Sequence, residues 1–166
     1  SKEAISKLKK LGVKNIIMLT GDTKQKAKMI ADELGIDEVR AELLPQDKAK
    51  IVKELMNEGK KVAFIGDGIN DAPALISAHV GISMSRGADI AKATADISLL
   101  KDDIMAVVEA KEYANKTMNL INNNFNATVG INSCILAGAT FGIFSPIITA
   151  VLHNGTTIGL LFNSIK

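Results

Sequence analysis

Two short stretches of this 166-residue chain crowd oxygen-bearing side chains beside glycines. In Gly66-Asp67-Gly68-Ile69-Asn70-Asp71, two carboxylates and an amide share one loop. The glycines let backbone come close to a ligand, and hard oxygen donors suit Mg²⁺. A plain turn accounts for one Asp and one Gly. It gives no reason to crowd two carboxylates whose repulsion a cation relieves. In Thr20-Gly21-Asp22, a hydroxyl and free backbone N–H groups at a helix start suit a phosphoryl oxygen. Read alone, the tripeptide is equally an N-cap turn. Lys48 stands early in a helix, after Pro45, Gln46 and Asp47, where a cation opposes the helix dipole. A solvated surface lysine explains it as well as a cation that neutralises a phosphoryl group in flight.

Chemistry of this kind needs strands that end where these loops begin. From Lys2 to about Lys116, amphipathic helices alternate with short apolar runs, which predicts an α/β fold with a mainly parallel sheet. Lys2 to Lys10 reads as a helix stopped at Gly12. Ile16 to Leu19 is expected to be a buried strand ending at Thr20. Thr23 then caps a helix running to Leu34 and Gly35, and Asp47 to Glu58, closed by Gly59, is another. Val62 to Ile65 is a second strand, Ala72 to Ser77 a short helix, and Val80 to Ser83 and Ile97 to Leu99 further strands. Ligands in such folds bind in the loops that leave the strand ends, which is where Thr20 and Asp67 fall.

The charge pattern sets the remainder apart. The net charge of +2 is too modest to suggest nucleic acid. All but one of the charged residues lie between Lys2 and Lys116, and none occurs from Thr117 to Ile165. The uncharged part divides at Ser145 and Pro146 into 127–144 and 147–165, each near the length that spans a bilayer. Gly, Thr, Ser and Asn interrupt both, as in helices packed against other helices. Lys111, Lys116 and Lys166 would flank the pair on one side. The single cysteine, Cys134, excludes an internal disulfide. No signal peptide is visible at Ser1-Lys2-Glu3, and the missing initiator Met suggests a fragment.

In order and spacing, Thr20-Gly21-Asp22, Pro45 with Lys48, and Gly66 to Asp71 followed by Ala72-Pro73-Ala74-Leu75 resemble the phosphorylation domain of P-type ATPases, within the haloacid dehalogenase superfamily. Gly87-Ala88-Asp89-Ile90-Ala91 and Ala95-Asp96 continue the likeness. The resemblance implies a haloacid dehalogenase-like, Rossmann-type three-layer domain over 1–116, followed by a two-helix transmembrane hairpin over 117–166. It also implies Mg²⁺ and ATP as cofactors. Thr20 and Gly21 would hold the phosphoryl group and Lys48 would stabilise its charge. Asp67 would ligate Mg²⁺, with Asn70 and Asp71 completing the polar shell, and Asp22 would lie toward the nucleotide. The family's phosphate acceptor, the aspartate of Asp-Lys-Thr-Gly-Thr, does not occur in this sequence.

His153-Asn154-Gly155-Thr156-Thr157 resembles the last helix of the heavy-metal branch. An ionisable side chain at membrane depth is a candidate site, and imidazole suits divalent zinc, cobalt, iron or nickel, with manganese also open. A histidine that merely hydrogen-bonds a neighbouring helix is the other reading. Asn132, Ser133 and Cys134 lie on successive helix faces and cannot all meet one ion. The expected whole is a multi-pass cell-membrane pump with a cytoplasmic phosphorylation domain. Its partners would be a divalent or soft metal cation and the actuator, nucleotide-binding and upstream membrane segments. The alternatives are a membrane-anchored haloacid dehalogenase-type phosphatase and a non-catalytic phosphate- or Mg²⁺-binding fragment.

Overall fold

Three glycines supply the left-handed backbone that stops a helix: φ is 94° at Gly12, 76° at Gly35 and 79° at Gly59. Between these stops a computed structural model of the chain, which describes residues 1–67, 69–84 and 89–164, alternates helix and strand. Gly68, Gly87, Ala88, Ile165 and Lys166, named above, lie outside the described residues, as do the side chains of Ile69, Asp89, Ile90 and Ala91. The elements are α1 (Lys2–Lys10), β1 (Ile17–Leu19), α2 (Lys24–Leu34), β2 (Glu38–Arg40), α3 (Pro45–Asn57) and β3 (Ala63–Gly66). After a 3₁₀ turn at Ile69–Asp71 come α4 (Ala72–Ser77), β4 (Val80–Ser83), α5 (Asp89–Thr94), β5 (Ile97–Ser98), α6 (Ile104–Thr140) and α7 (Pro146–Ser164).

Every strand pairing is parallel, as the alternation of helix and strand requires. Among the described residues the strands form two sheets rather than one: β1 with β2, and β3-β4-β5. Two apolar clusters hold them. Ala4, Leu8, Ile82, Leu99, Val107 and Val108 make one, against which both Ile16 and Ile65 pack. Val52, Phe64, Ala74 and Leu75 make the other, against which Leu19 packs. β3 and the segment Ile16–Leu19, which contains β1, thus share both clusters, although β1 and β3 are not hydrogen-bonded to each other. All three residues of β1 are half-buried, where full burial was expected.

Asp37 ties the first two helices to β1. Its carboxylate accepts from Lys9 Nζ at 2.6 Å and from the backbone N–H of Ile16 at 2.9 Å. The Lys9 hydrogen bond, then that of Ile16, hold the Asp37 carboxyl below its ordinary value of 3.8. A depressed carboxyl stabilises the fold above its unfolded pKa and loses that contribution as pH falls through the folded one. The difference in melting temperature between wild type and Asp37→Asn should therefore be full near neutrality and shrink below about pH 4. Thermal unfolding followed by circular dichroism at stepped pH reads it, and a difference that persists unchanged at pH 3 would remove the charge from the explanation.

The chain divides into compact units at 1–111 and 112–166, and α6 runs unbroken through that division. Within the second unit the break expected at Ser145 and Pro146 is present. Gly142, at φ 73°, ends α6, and Ile143 N–H returns to Gly138 O at 2.8 Å. An added Cβ at Gly138 would collide with the Phe144 ring, which would have to move to accommodate it. The expected pair of membrane-spanning helices requires correction. Among the described residues no helix is long and apolar enough to cross a membrane. The physical reason is in the sequence: Asn122, Asn123, Asn124 and Asn126 interrupt α6, and His153, Asn154 and Asn163 interrupt α7.

Candidate phosphoryl and magnesium site

The loop leaving β1 is stitched to the loop leaving β2. Leu43 N–H donates to Thr20 O at 3.1 Å and Glu42 N–H to Asp22 O at 2.9 Å. Glu42 takes the left-handed conformation, φ 59°, to make that contact. A Cβ at Gly21 would stand 3.3 Å from Leu43 O, so the two backbones run close there. The Thr20 hydroxyl accepts from Asp22 N–H at 3.1 Å, an ST-turn that orients the oxygen. Asp22 itself is exposed and pairs with Lys26 at 3.2 Å, one turn into α2. Thr23 occupies the N-cap of α2 without a side-chain capping hydrogen bond.

The same β2 loop launches α3. Pro45 sits at its first position and Asp47 turns back to accept from Leu44 N–H at 2.9 Å. The helix therefore starts at Pro45, not at Asp47 as the spacing suggested. One turn in, Lys48 reaches Asp71, Nζ to Oδ1 at 2.7 Å, with the two side chains only 18% and 11% exposed. Two residues 23 apart in sequence thus form the most enclosed of the ion pairs found among the described residues. Asp71 is the N-cap residue of α4, where a carboxylate complements the positive helix end.

Gly66, the last residue of β3, makes this possible. A Cβ there would lie 2.7 Å from Asp71 Cβ and 3.1 Å from Asp71 Oδ2. The sequence reading had this glycine letting backbone come close to a ligand; in the structure it gives room to Asp71. Gly66→Ala should displace Asp71 from Lys48 and cost about 1–3 kcal/mol, the usual range for overpacking a well-filled site. A denaturant titration checks this: the midpoint should fall with the slope unchanged. Asp67 and Asn70 are exposed at the end of β3. Of the predicted site residues, Lys48 and Asp71 are in contact, Thr20 and Gly21 are joined to them through the 41–44 loop, and Asp22 points into α2.

The donor set fits Mg²⁺. It consists of hard oxygens, and no group of three or more His, Cys, Asp or Glu among the described residues could enclose a metal alone. Two carboxylates with water and a phosphate make the usual arrangement for Mg²⁺, which dehydrates reluctantly.

In the second unit His153 is exposed on α7 and hydrogen-bonded to Asn132 of α6 at 3.1 Å. Cys134 is free and exposed, and it lines a different groove from His153. A hydrogen bond from His153 to the neighbouring helix was one of the two readings of the sequence; that Asn132 is the partner was not.

Residues 1–79 match the haloacid dehalogenase-like hydrolase family. Over 98% of its length the chain is 42% identical to a manganese-exporting P-type ATPase of Mycobacterium leprae. Over the same share it is 41% identical to a zinc-exporting P-type ATPase of Mycobacterium marinum. It spans 22% of the length of each. A zinc-transporting PIB-type ATPase crystallised in the E2.Pi state superimposes with a TM-score of 0.88 at 38% identity, covering 98% of this chain and 26% of that one.

Proposed function

We propose that this chain, which belongs to the heavy-metal-transporting P-type ATPases, supplies the phosphoryl-holding and Mg²⁺-binding part of an ATP-driven metal pump together with the helical pair α6 and α7. The observation that carries this reading is the enclosed Lys48–Asp71 pair, joined by the 41–44 loop to the Thr20-Gly21 turn. Nothing in a structural turn calls for a cation held at that depth.

Thr20, with its oxygen oriented by Asp22 N–H, and the backbone of Gly21 would bind phosphoryl oxygens. Lys48 would stand beside them as a fixed positive charge, pre-oriented by Asp71 and therefore needing little rearrangement as charge develops. Asp67 would hold Mg²⁺, with Asn70 and Asp71 completing the polar shell. When bound, that ion would neutralise charge on the phosphoryl oxygens. Asp22, engaged with Lys26, would lie toward the nucleotide of ATP.

The division of the sheet supports a separate source for the phosphate acceptor. The Ile16–Leu19 segment and β3 pack on the same two clusters, yet β1 and β3 each keep one edge without a strand partner among the described residues. A further parallel strand of the complete protein would fit between them. Its end would then fall between Thr20 and Asp67, where an acceptor aspartate has to lie.

Residues 1–116 would be the cytoplasmic phosphorylation domain and 117–166 a helical part that packs against the rest of the pump. Neither helix is apolar enough to stand alone in lipid. Support comes instead from the large apolar side chains they expose, among them Phe125, Leu136, Ile147, Val151, Leu161 and Phe162. Helices with polar interruptions suit the interior of a larger bundle. His153 would face the transported cation. Manganese and zinc exporters match at nearly equal identity, so likeness does not choose the metal.

The test is the complete pump in lipid vesicles. Metal-stimulated ATP hydrolysis through a hydroxylamine-sensitive phosphoenzyme is expected. Metal-independent hydrolysis of simple phosphate esters would instead make the protein a membrane-anchored phosphatase.

A further inference from the structure

An imidazole offers a lone pair to a metal at only one nitrogen, and the proton on the other decides which. His153 Nδ1 lies 3.1 Å from Asn132 Oδ1. An amide oxygen only accepts, so in this arrangement Nδ1 carries the hydrogen and donates it, and the lone pair is left on Nε2. The second histidine is built the other way. Val62 N–H donates to His79 Nδ1 at 3.2 Å, which puts the His79 proton on Nε2.

His153 also borders an open groove of about 540 Å³, whose other walls are Ala139, Phe144, Pro146, Thr149 and Ala150. None of those walls offers a charged or sulfur ligand. We infer that Asn132 is a positioning residue for the transported cation: it fixes the Nδ1–H tautomer of His153 and thereby presents Nε2 as the metal-binding nitrogen. This rests on the reading that His153 meets the cation, and adds the partner that makes it competent to do so. Partners that orient a ligating imidazole typically contribute tenfold to a hundredfold in affinity.

The experiment uses the complete, metal-free pump with ¹⁵N-labelled histidine, the His153 signal being identified by its loss in His153→Ala. At a pH where the ring is neutral, wild type should give the Nδ1–H pattern for His153 and the Nε2–H pattern for His79. Asn132→Ala should move His153 to Nε2–H, whereas Asn132→Asp, which keeps an acceptor oxygen, should not. Zn²⁺ binding at equilibrium is the second measurement. Asn132→Ala should weaken it by about 10–100-fold, Asn132→Asp should retain it, and Asn132→Ala should add nothing in a His153→Ala background. A wild-type His153 protonated on Nε2 would mean that the Asn132 amide is turned the other way, and would overturn the inference. Additive effects of the two alanine substitutions would do so as well. Wild-type Zn²⁺ affinity in His153→Ala alone would sink the reading of His153 as a ligand, while the spectrum would still report the tautomer.

Discussion

In the complete pump, Asp67→Asn should lower the phosphoenzyme formed from ATP by about a hundredfold or more, the scale on which removal of one preorganised electrostatic contact acts. The fold should survive. Asp67 is exposed at the end of β3, so an isosteric amide leaves no buried charge stranded. Asp71→Asn should behave differently. Lys48 and Asp71 are 18% and 11% exposed, and losing the carboxylate leaves a largely enclosed ammonium without its counter-charge. Both variants should lose phosphoenzyme, but only Asp71→Asn should lower the melting temperature appreciably. Raising Mg²⁺ should recover part of the Asp67→Asn defect and none of the Asp71→Asn defect. Phosphoenzyme trapping across a Mg²⁺ series, with thermal unfolding of the same variants, separates the roles. Wild-type phosphoenzyme in Asp67→Asn would take that residue out of the metal shell.

Much of this site could be read before any fold was known, because its parts announce themselves locally. Gly12, Gly35 and Gly59 are helix stops by composition, and each has the left-handed backbone that a stop requires. Loops rich in oxygen donors at strand ends are also local signals. What could not be read was pairing. Lys48 meets Asp71 across 23 residues, and no periodicity encodes that distance. β2 was missed for a related reason. Glu38, Val39 and Arg40 carry a single apolar residue, and the segment is a strand because β1 offers it a ladder, not because of its own pattern. The start of α3 was a signal passed over, since Pro45 is favoured at a first helical position. The change from charged to uncharged sequence near Lys116 marks no break in backbone structure, because α6 continues through it. Composition records the surroundings of a helix, whereas its ends are set by caps.

The chain as it stands, lacking the acceptor motif, should hydrolyse neither ATP nor simple phosphate esters above background, since oriented donors do not replace the nucleophile. β1 and β3 each have one open edge among the described residues. β1 is only half-buried along its length, and in β3 Ala63 is exposed while Phe64 and Gly66 are buried. These are edge strands with the composition of central ones, a state that invites pairing with any available strand. Extending the chain upstream through the Asp-Lys-Thr-Gly-Thr segment should therefore do two things together. It should restore phosphorylation, and it should slow amide hydrogen exchange at Ile17–Leu19 and Ala63–Gly66 as the open edges become hydrogen-bonded. Replacing the acceptor aspartate with asparagine in the extended chain keeps the strand and removes the nucleophile. That variant should retain the slowed exchange and lose the phosphoenzyme. If exchange at β1 and β3 is the same with and without the added segment, the acceptor strand does not enter between them, and the two sheets are joined in the complete protein by some other route.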